Sequence, residues 1–460
     1  MKKILLMIFI LASISNNLWA LNKKRVAIIG GGMAGVSTAA FLKKSKLEVH
    51  LFEKEDHLGG HARSIALTGA NNQQVFVDLG PQYFAKGGWD QYIDFLKYFN
   101  LYDEDKLHKF TSGFTVFKSD QEYPDFITPE ISGPGLKWLF KKEGGLSRLL
   151  SMLSFMGSAN KFYKDKDKEN LSIGEFLKEL DIKDEYKEEI IKPLVSTSVN
   201  SPLQTVEDAS MITSSGLLAF RGPLAPAQFF VSKVGLQPFI EKIAEKTQKD
   251  WNDFHLHLSS AVTGVSKNSD GTLKVTYGNG EVLDVDYVVF ATHPYVAASI
   301  LKDWDIFNGL WEDFTYTNTR VVIHNDRSYL HPVYQSFYNI KVRADGEYYL
   351  AMNLQKISPE YGDLIKSWNL SDEEYQDLKD RGHILAESYF KHPLTTPKFI
   401  ERIKELKQIA KEQGNIFFAG GWSLNWENQN TSMLSGLEAA QSIAPKILPY
   451  WKRKLPSLKK

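Results

Sequence analysis

The stretch R-V-A-I-I-G-G-G-M-A-G-V-S-T-A-A-F-L-K-K-S-K-L-E-V-H-L-F-E-K-E-D-H-L-G-G-H-A-R-S, Arg25 to Ser64, decides the fold. Val26 to Ile29 is a short apolar run rich in β-branched residues, the composition of a strand buried on both faces. Gly30, Gly32 and Gly35 then follow at the G-x-G-x-x-G spacing. The first glycine permits a tight turn, the second lets a pyrophosphate approach the backbone, and the third lets the following helix pack closely on the strand. A helix from Ala34 to about Lys44 would point its first N–H groups, including those of Met33 and Ala34, at phosphates. A second apolar strand, Val49 to Phe52, ends in Glu53, with Lys54 beside it. An acidic residue at this distance from the glycines suits a ribose hydroxyl. The complete strand–turn–helix–strand context predicts a dinucleotide site in an α/β Rossmann-like domain.

Gly59, Gly60, His61 and Arg63 come next, as G-G-H-A-R-S. This segment resembles the second signature of the flavin amine-oxidase superfamily, which includes monoamine and amino-acid oxidases, phytoene-type desaturases and protoporphyrinogen oxidase. Bare glycine backbone and a guanidinium fork suit a diphosphate. The resemblance implies FAD, a discontinuous Rossmann-like FAD-binding domain, and an inserted α+β substrate domain. His61 departs from the arginine common in the family. D-L-G-P-Q-Y-F (Asp78 to Phe84) resembles the segment that returns such chains toward the flavin ring, and reads equally well as a strand-to-helix turn.

The 460-residue length suits two domains or one composite fold. Formal net charge is zero, so no global basic field points to nucleic acid. No internal apolar run is long enough to span a membrane. At the N-terminus Lys2 and Lys3 precede an apolar stretch from Ile4, then Ser15 to Asn17 and Leu18-Trp19-Ala20. That is the layout of a secretory signal peptide over 1–20 and predicts a secreted or periplasmic protein, with an uncleaved anchor as the alternative. The absence of cysteine excludes disulfides, thiol catalysis and a cysteinyl-flavin bond.

The remaining pattern divides the chain into FAD-binding segments at 21–90, 226–300 and 406–448, substrate segments at 91–225 (largely helical) and 301–405, and a basic tail at 449–460. Leu136–Phe140 and Leu146–Met156 set bulky apolar residues beside Lys137, Lys141, Lys142 and Arg148. They read as ordinary substrate-domain helices and are also compatible with peripheral membrane contact. The tail reads as a frayed, solvated end, with contact to anionic lipid as the alternative. Gly235 to Lys246 reads as a helix leading to a strand at His255–Leu258, and a meander then returns a strand, Asp286–Ala291, ending in A-T-H-P. The resemblance implies that Val262, opening that meander, touches adenine. Val321–Asp326 and Tyr349–Gln355 read as substrate-domain strands.

Near the C-terminus N-I-F-F-A (Asn415 to Ala419), Gly420-Gly421 and a helix over Ser432–Ala444 resemble the closing FAD motif. A helix N-terminus there, with Ser432 and Met433, would stabilise negative charge on reduced flavin. Gly421 stands where the family usually has an acidic residue. His293, Trp422 and Trp426 are the candidate catalytic residues, each with a structural alternative: a satisfied turn histidine, or core tryptophans. His57 and His61 are separated by glycines that break a helical H-x-x-x-H ligand pair, so no metal is expected there. His255 and His257 share a strand face and read as surface residues. Relatives use a lysine near the flavin, and the sequence does not single one out.

The reading is therefore an FAD-dependent oxidoreductase. It would move a hydride from an amine-like or other small organic substrate to flavin, with oxygen or an external carrier as electron acceptor. A desaturase or isomerase of a lipid or isoprenoid chain is the rival enzyme. A flavoprotein-fold binding protein that has lost catalysis is the rival of another class.

Overall fold

The computed structural model describes residues 23–118, 121–128, 133–165, 170–218 and 228–459. The signal-peptide segment 1–20 and the expected domain junction at 225 lie outside the described residues.

Arg25–Ile29 forms the centre of a five-stranded parallel sheet, in the order Phe254–His257, Glu48–Phe52, Arg25–Ile29, Tyr287–Phe290, Ile416–Phe418. Three separate parts of the chain thus build one sheet. Val26 to Ile29 are buried, as expected for a central strand covered on both faces. One face carries the helices Met33–Leu42, Gln237–Asp250 and Gln429–Ile443. The other is covered by the meander Val262–Lys267, Leu273–Tyr277, Glu281–Val285 and by the helix Pro397–Gln413. The first and last helices cross closely at Gly436, where a Cβ would lie 2.7 Å from the Ala34 carbonyl oxygen.

The inserted region holds a seven-stranded sheet in the order Ile384–Pro393, Tyr316–His324, Ile365–Trp368, Tyr348–Asn353, Tyr338–Val342, Phe114–Lys118, Phe126–Ile127. A small antiparallel sheet, Phe84–Lys86, Gln228–Ser232 and Leu107–Thr111, lies between the two regions in the chain order. The α/β FAD-type domain with an α+β insertion is the observed architecture.

Several boundaries move. Segment 91–225 is not purely helical: the aromatic and β-branched run F-T-S-G-F-T-V-F places strands at Leu107–Thr111 and Phe114–Lys118. Leu301, Phe307, Leu310 and Phe314 pack with Val288 and Ile416 on the first sheet, so the inserted sheet begins at Tyr316 rather than 301. The expected junction at 405/406 falls inside the helix Pro397–Gln413, whose Phe399, Ile403 and Leu406 belong to the same core. The tail is docked, not frayed. Trp451 is fully buried against Phe41, with ring centroids 4.8 Å apart, and its indole N–H donates to the Phe41 carbonyl at 2.8 Å. Lys452, Lys454 and Lys459 stay exposed while Trp451 and Leu455 anchor the helix Leu448–Lys454.

Candidate functional site

The site stands at the carboxyl ends of the parallel strands, where open α/β sheets bind ligands. Gly30 adopts φ +110, a value open to glycine, as its N–H donates to the Phe52 carbonyl at 2.8 Å. A Cβ on Gly35 would overlap the Gly30 carbonyl oxygen, which is the close-packing role of the third glycine. Met33 and Ala34 lie buried in the first helical turn. The second glycine pair comes to the first: Gly59 N–H donates to the Gly31 carbonyl at 3.1 Å, and a Cβ on Gly60 would stand 3.2 Å from the Gly32 Cα. Glu53 is buried, accepting from the Gly31 N–H at 2.6 Å and the Glu55 N–H at 3.0 Å. Its backbone carbonyl accepts from the Ser260 N–H at 2.7 Å, which brings the Val262 strand to the same corner. Arg63 and Lys54 are exposed, Lys54 in an ion pair with Glu55.

On the far side, Gly420 N–H donates to Ser435 Oγ at 2.8 Å. Asn428 caps the helix Gln429–Ile443, accepting from the Thr431 N–H at 2.9 Å, and half-buried Ser432 and buried Met433 sit in its first turns. Gly421 is buried, and a Cβ there would lie 2.8 Å from the Glu427 Cα. Glu427 therefore stands beside the position where the family resemblance expects an acid.

Tertiary packing then assembles a group that no sequence motif announces. The His61 ring lies 4.8 Å from His293 and 5.8 Å from His392. Glu427 Oε1 lies 3.5 Å from His293 Nδ1, and Oε2 lies 3.9 Å from His392 Nδ1. Tyr295 and Tyr316 flank His293, each ring centroid 5.7 Å away. Burial lowers His61 to about 4 and His392 to about 3, and holds His293 well below the ordinary imidazole value, so these rings are neutral near pH 7. Burial raises Glu427 to about 8, so its carboxyl is largely protonated at neutral pH. Thr292 Oγ1, His293 Nδ1, the Tyr316 hydroxyl, Glu427 Oε2, Asn428 Nδ2 and Gln429 Oε1 are buried without a hydrogen-bond partner. So many orphaned polar atoms clustered around His293 and Glu427 demand an explanation, since buried polar groups are otherwise paired.

Of the two candidate tryptophans, Trp422 is a core residue, 2% exposed, packed on Phe314 and Phe418 with its N–H on the Thr292 carbonyl at 3.1 Å. Of its two readings, the structure matches the core tryptophan. Trp426 is half-buried, 6.0 Å from Trp89, and begins an aromatic row that continues through Tyr83 to Phe229 and Phe337. The Tyr83 and Tyr338 hydroxyls share a hydrogen bond. Lys366, on the inserted sheet, is buried and donates to the carbonyls of Asp78 at 2.7 Å and Gly80 at 2.5 Å. Burial lowers its ammonium pKa and raises that of the neighbouring Asp78 carboxyl. This lysine stands directly on the D-L-G segment.

His57 bonds Asp56 and takes no part in the group around His61. His257 is not a free surface residue: it is half-buried, with its ring 4.6 Å from Phe52, while His255 is exposed.

Residues 33–313 match the family described as flavin containing amine oxidoreductase. The chain belongs to that family. It is 25% identical over 285 residues to the "Probable flavin-containing monoamine oxidase A" of Dictyostelium discoideum, covering 60% of this chain and 58% of that protein. A 4,4'-diaponeurosporene oxygenase of Staphylococcus haemolyticus is 29% identical over 152 residues, 33% of this chain and 24% of the relative. A 1-hydroxycarotenoid 3,4-desaturase of a Flavobacterium is 43% identical over 62 residues, 14% of this chain and 12% of the relative. The chain thus spans less than two thirds of each of these curated relatives. Among solved structures, a CLA-producing fatty acid isomerase from P. acnes superposes with a TM-score of 0.63 at 14% identity, covering 90% of this chain and 97% of that one. An engineered putrescine oxidase superposes with a TM-score of 0.60 at 13% identity, covering 92% and 99%. These two likenesses establish the fold.

Proposed function

We propose that the flavin is FAD and that the chain oxidises an amine-like or other small organic substrate by taking a hydride from carbon. The group of orphaned buried polar atoms at Thr292, His293, Tyr316, Glu427, Asn428 and Gln429, which the His61 ring after the double glycine meets at His293, carries this reading. These residues fit FAD. Gly32, Met33, Ala34 and Gly60 offer bare backbone and helix N–H groups to a diphosphate, aided by Arg63. Glu53 and the start of the Val262 strand meet the adenosine end. Gly420, Ser432 and Met433 meet the flavin end, and Glu427 supplies the acceptor that Gly421 lacks. FAD, when bound, supplies the two-electron acceptor, with oxygen or an external carrier reoxidising it.

The chain's own residues do the rest. The row from Trp426 through Trp89 to Tyr83 offers π-faces that hold an amine or an unsaturated carbon against the site. Unprotonated His61 and His293 keep the surroundings free of competing positive charge. Lys366, with its lowered pKa, holds a proton beside Gly80 that can be exchanged near neutral pH. The test is anaerobic bleaching of the flavin bands. Amines should bleach them with burst kinetics, and failure of every amine tried would reject the amine reading.

A second reading has its own observation. On the helices Pro134–Lys141 and Gly145–Lys164, Leu136, Phe140, Leu146 and Leu150 are exposed, Phe140 by 78%, beside exposed Lys137 and Lys141. Apolar side chains ringed by lysines suit the surface of an anionic membrane. This favours peripheral membrane contact and a lipid or isoprenoid chain as substrate. No described helix is long and apolar enough to cross a membrane. Bleaching by unsaturated lipid in vesicles, without peroxide, would select this reading. Export from the cytoplasm remains part of the proposal, resting on the Lys2–Ala20 pattern; the N-terminal residue of the native protein tests it.

A further inference from the structure

Along the strand Glu48–Phe52, alternation puts Glu48, His50 and Phe52 on one face. The neighbouring parallel strand Phe254–His257 sets His255 opposite His50 and His257 opposite Phe52, on that same face. Backbone pairing of the two strands therefore brings a carboxylate and three imidazoles together. His50 Nε2 lies 2.9 Å from Glu48 Oε1, and His255 Nε2 lies 3.9 Å from the same oxygen. One ligand atom from each of Glu48, His50 and His255 falls within 4.8 Å of the others. His50 Nδ1 is 3.0 Å from His257 Nε2.

We propose that Glu48, His50 and His255 form a site for a divalent transition ion of the zinc class. Two imidazoles and one carboxylate are a borderline ligand set, and three protein ligands leave one tetrahedral position to water. His255 is exposed, which provides entry, whereas His50 is buried and held in place. With the ion on Nε2, the His50 Nδ1–H donates to His257, the outer hydrogen bond that fixes the tautomer of a ligating histidine. His257 is thus a positioning residue. A competing cation is Arg25, whose Nε lies 4.0 Å from Glu48 Oε1 and whose Nη1 donates to the Asp284 carbonyl at 3.1 Å. Its exposed guanidinium can keep the Asp284 contact and yield the carboxylate.

The site is not the flavin site. Glu48 stands five positions before Glu53 along the chain, roughly 16 Å at the rise of a parallel strand. The ion would staple the strand Phe254–His257 to the strand Glu48–Phe52, which the chain supplies far earlier in sequence. Its role is to stabilise the discontinuous sheet.

The experiment is isothermal titration of zinc chloride into the FAD-loaded full chain after dialysis against EDTA, with melting temperature as a second readout. The expected result is one saturable equivalent of zinc and a higher melting temperature. Glu48→Gln and His255→Ala should abolish both while leaving the flavin spectrum unchanged, and His257→Ala should weaken binding by about tenfold. His255 is exposed, so its replacement does not threaten folding. No saturable binding to the native chain would overturn the proposal. So would undiminished binding in Glu48→Gln and His255→Ala, which would move the ion elsewhere, for instance to His61, His293 and Glu427.

Discussion

Two places on the parallel sheet each gather histidines around a glutamate, and they differ in one decisive respect. Along the paired strands Glu48–Phe52 and Phe254–His257, His50 is bonded to Glu48 on one side and to His257 on the other, and His255 faces water. At the carboxyl ends, His293 Nδ1 and Glu427 Oε2 are buried without hydrogen-bond partners, as are the neighbouring Thr292 and Gln429 oxygens. The first group satisfies itself and needs at most an ion. The second needs a large polar ligand. The same residue types thus serve different chemistry according to the burial and the place on the sheet that the fold gives them.

The largest effect that would break this comparison lies in the glycines. A Cβ on Gly32 would make only ordinary van der Waals contact, with the Gly60 Cα at 3.8 Å and the Gly59 carbonyl oxygen at 3.9 Å, whereas a Cβ on Gly35 overlaps backbone. Gly32→Val should fold and lose FAD retention by a factor on the order of a hundred or more, because the side chain fills the place of the diphosphate. Gly35→Ala should instead lower the yield of folded protein. Gel filtration followed by the visible spectrum separates the two, and normal FAD retention in Gly32→Val would remove the diphosphate assignment.

Next come the tryptophans. Trp422→Ala empties a core site and should cost about 3–5 kcal/mol in urea unfolding. Trp426→Ala should leave unfolding nearly unchanged and raise KM for the bleaching substrate. If the two exchange these behaviours, the aromatic row does not bind substrate.

Glu427 gives a smaller but sharper test. Glu427→Gln should weaken FAD by about tenfold, the scale of one hydrogen bond to a charged or strongly polarised group. In the FAD-free protein its burial raises its pKa from 4.5 to about 8, so the folded state binds the extra proton. Its contribution to stability is complete below 4.5 and is lost as pH rises through about 8. The buried imidazoles act in the reverse direction. His61 at about 4 and His392 at about 3 contribute fully above 6.5, and that contribution is lost as pH falls through those values. Melting temperature against pH should therefore fall on both sides, and Glu427→Gln should flatten the alkaline limb alone.

The smallest effect concerns the exposed helical face. Phe140→Asp with Leu150→Glu should abolish sedimentation with anionic vesicles and leave unfolding in urea unaltered. Unchanged sedimentation would show that this face does not carry membrane contact.

The legible part of the molecule was the part encoded locally. Gly30, Gly32, Gly35 and Glu53 declare their turn because each role is fixed by nearest neighbours along the chain, and the observed strands and helix follow within a residue or two. The meander and the strands at Tyr316 and Tyr348 were readable from β-branched and aromatic runs for the same reason. His392 and Glu427 were not readable. His392 lies near the end of a strand whose residues alternate with exposed ones, and Glu427 lies in a polar loop, so each looks like surface until the sheets meet. Lys366 is flanked by Ile365 and Ser367 on a short buried strand, and its contact with Asp78 spans most of the chain. His50 was read as part of an apolar strand, and only the pairing with Phe254–His257 shows what faces it.

The most direct measurement is an FAD titration of the purified chain, followed by removal of free cofactor and a visible spectrum. The account predicts one retained equivalent, with the twin absorption bands of protein-bound oxidised flavin. A colourless protein that cannot be reconstituted would contradict it, and would leave the orphaned polar atoms between Thr292 and Gln429 to a different ligand.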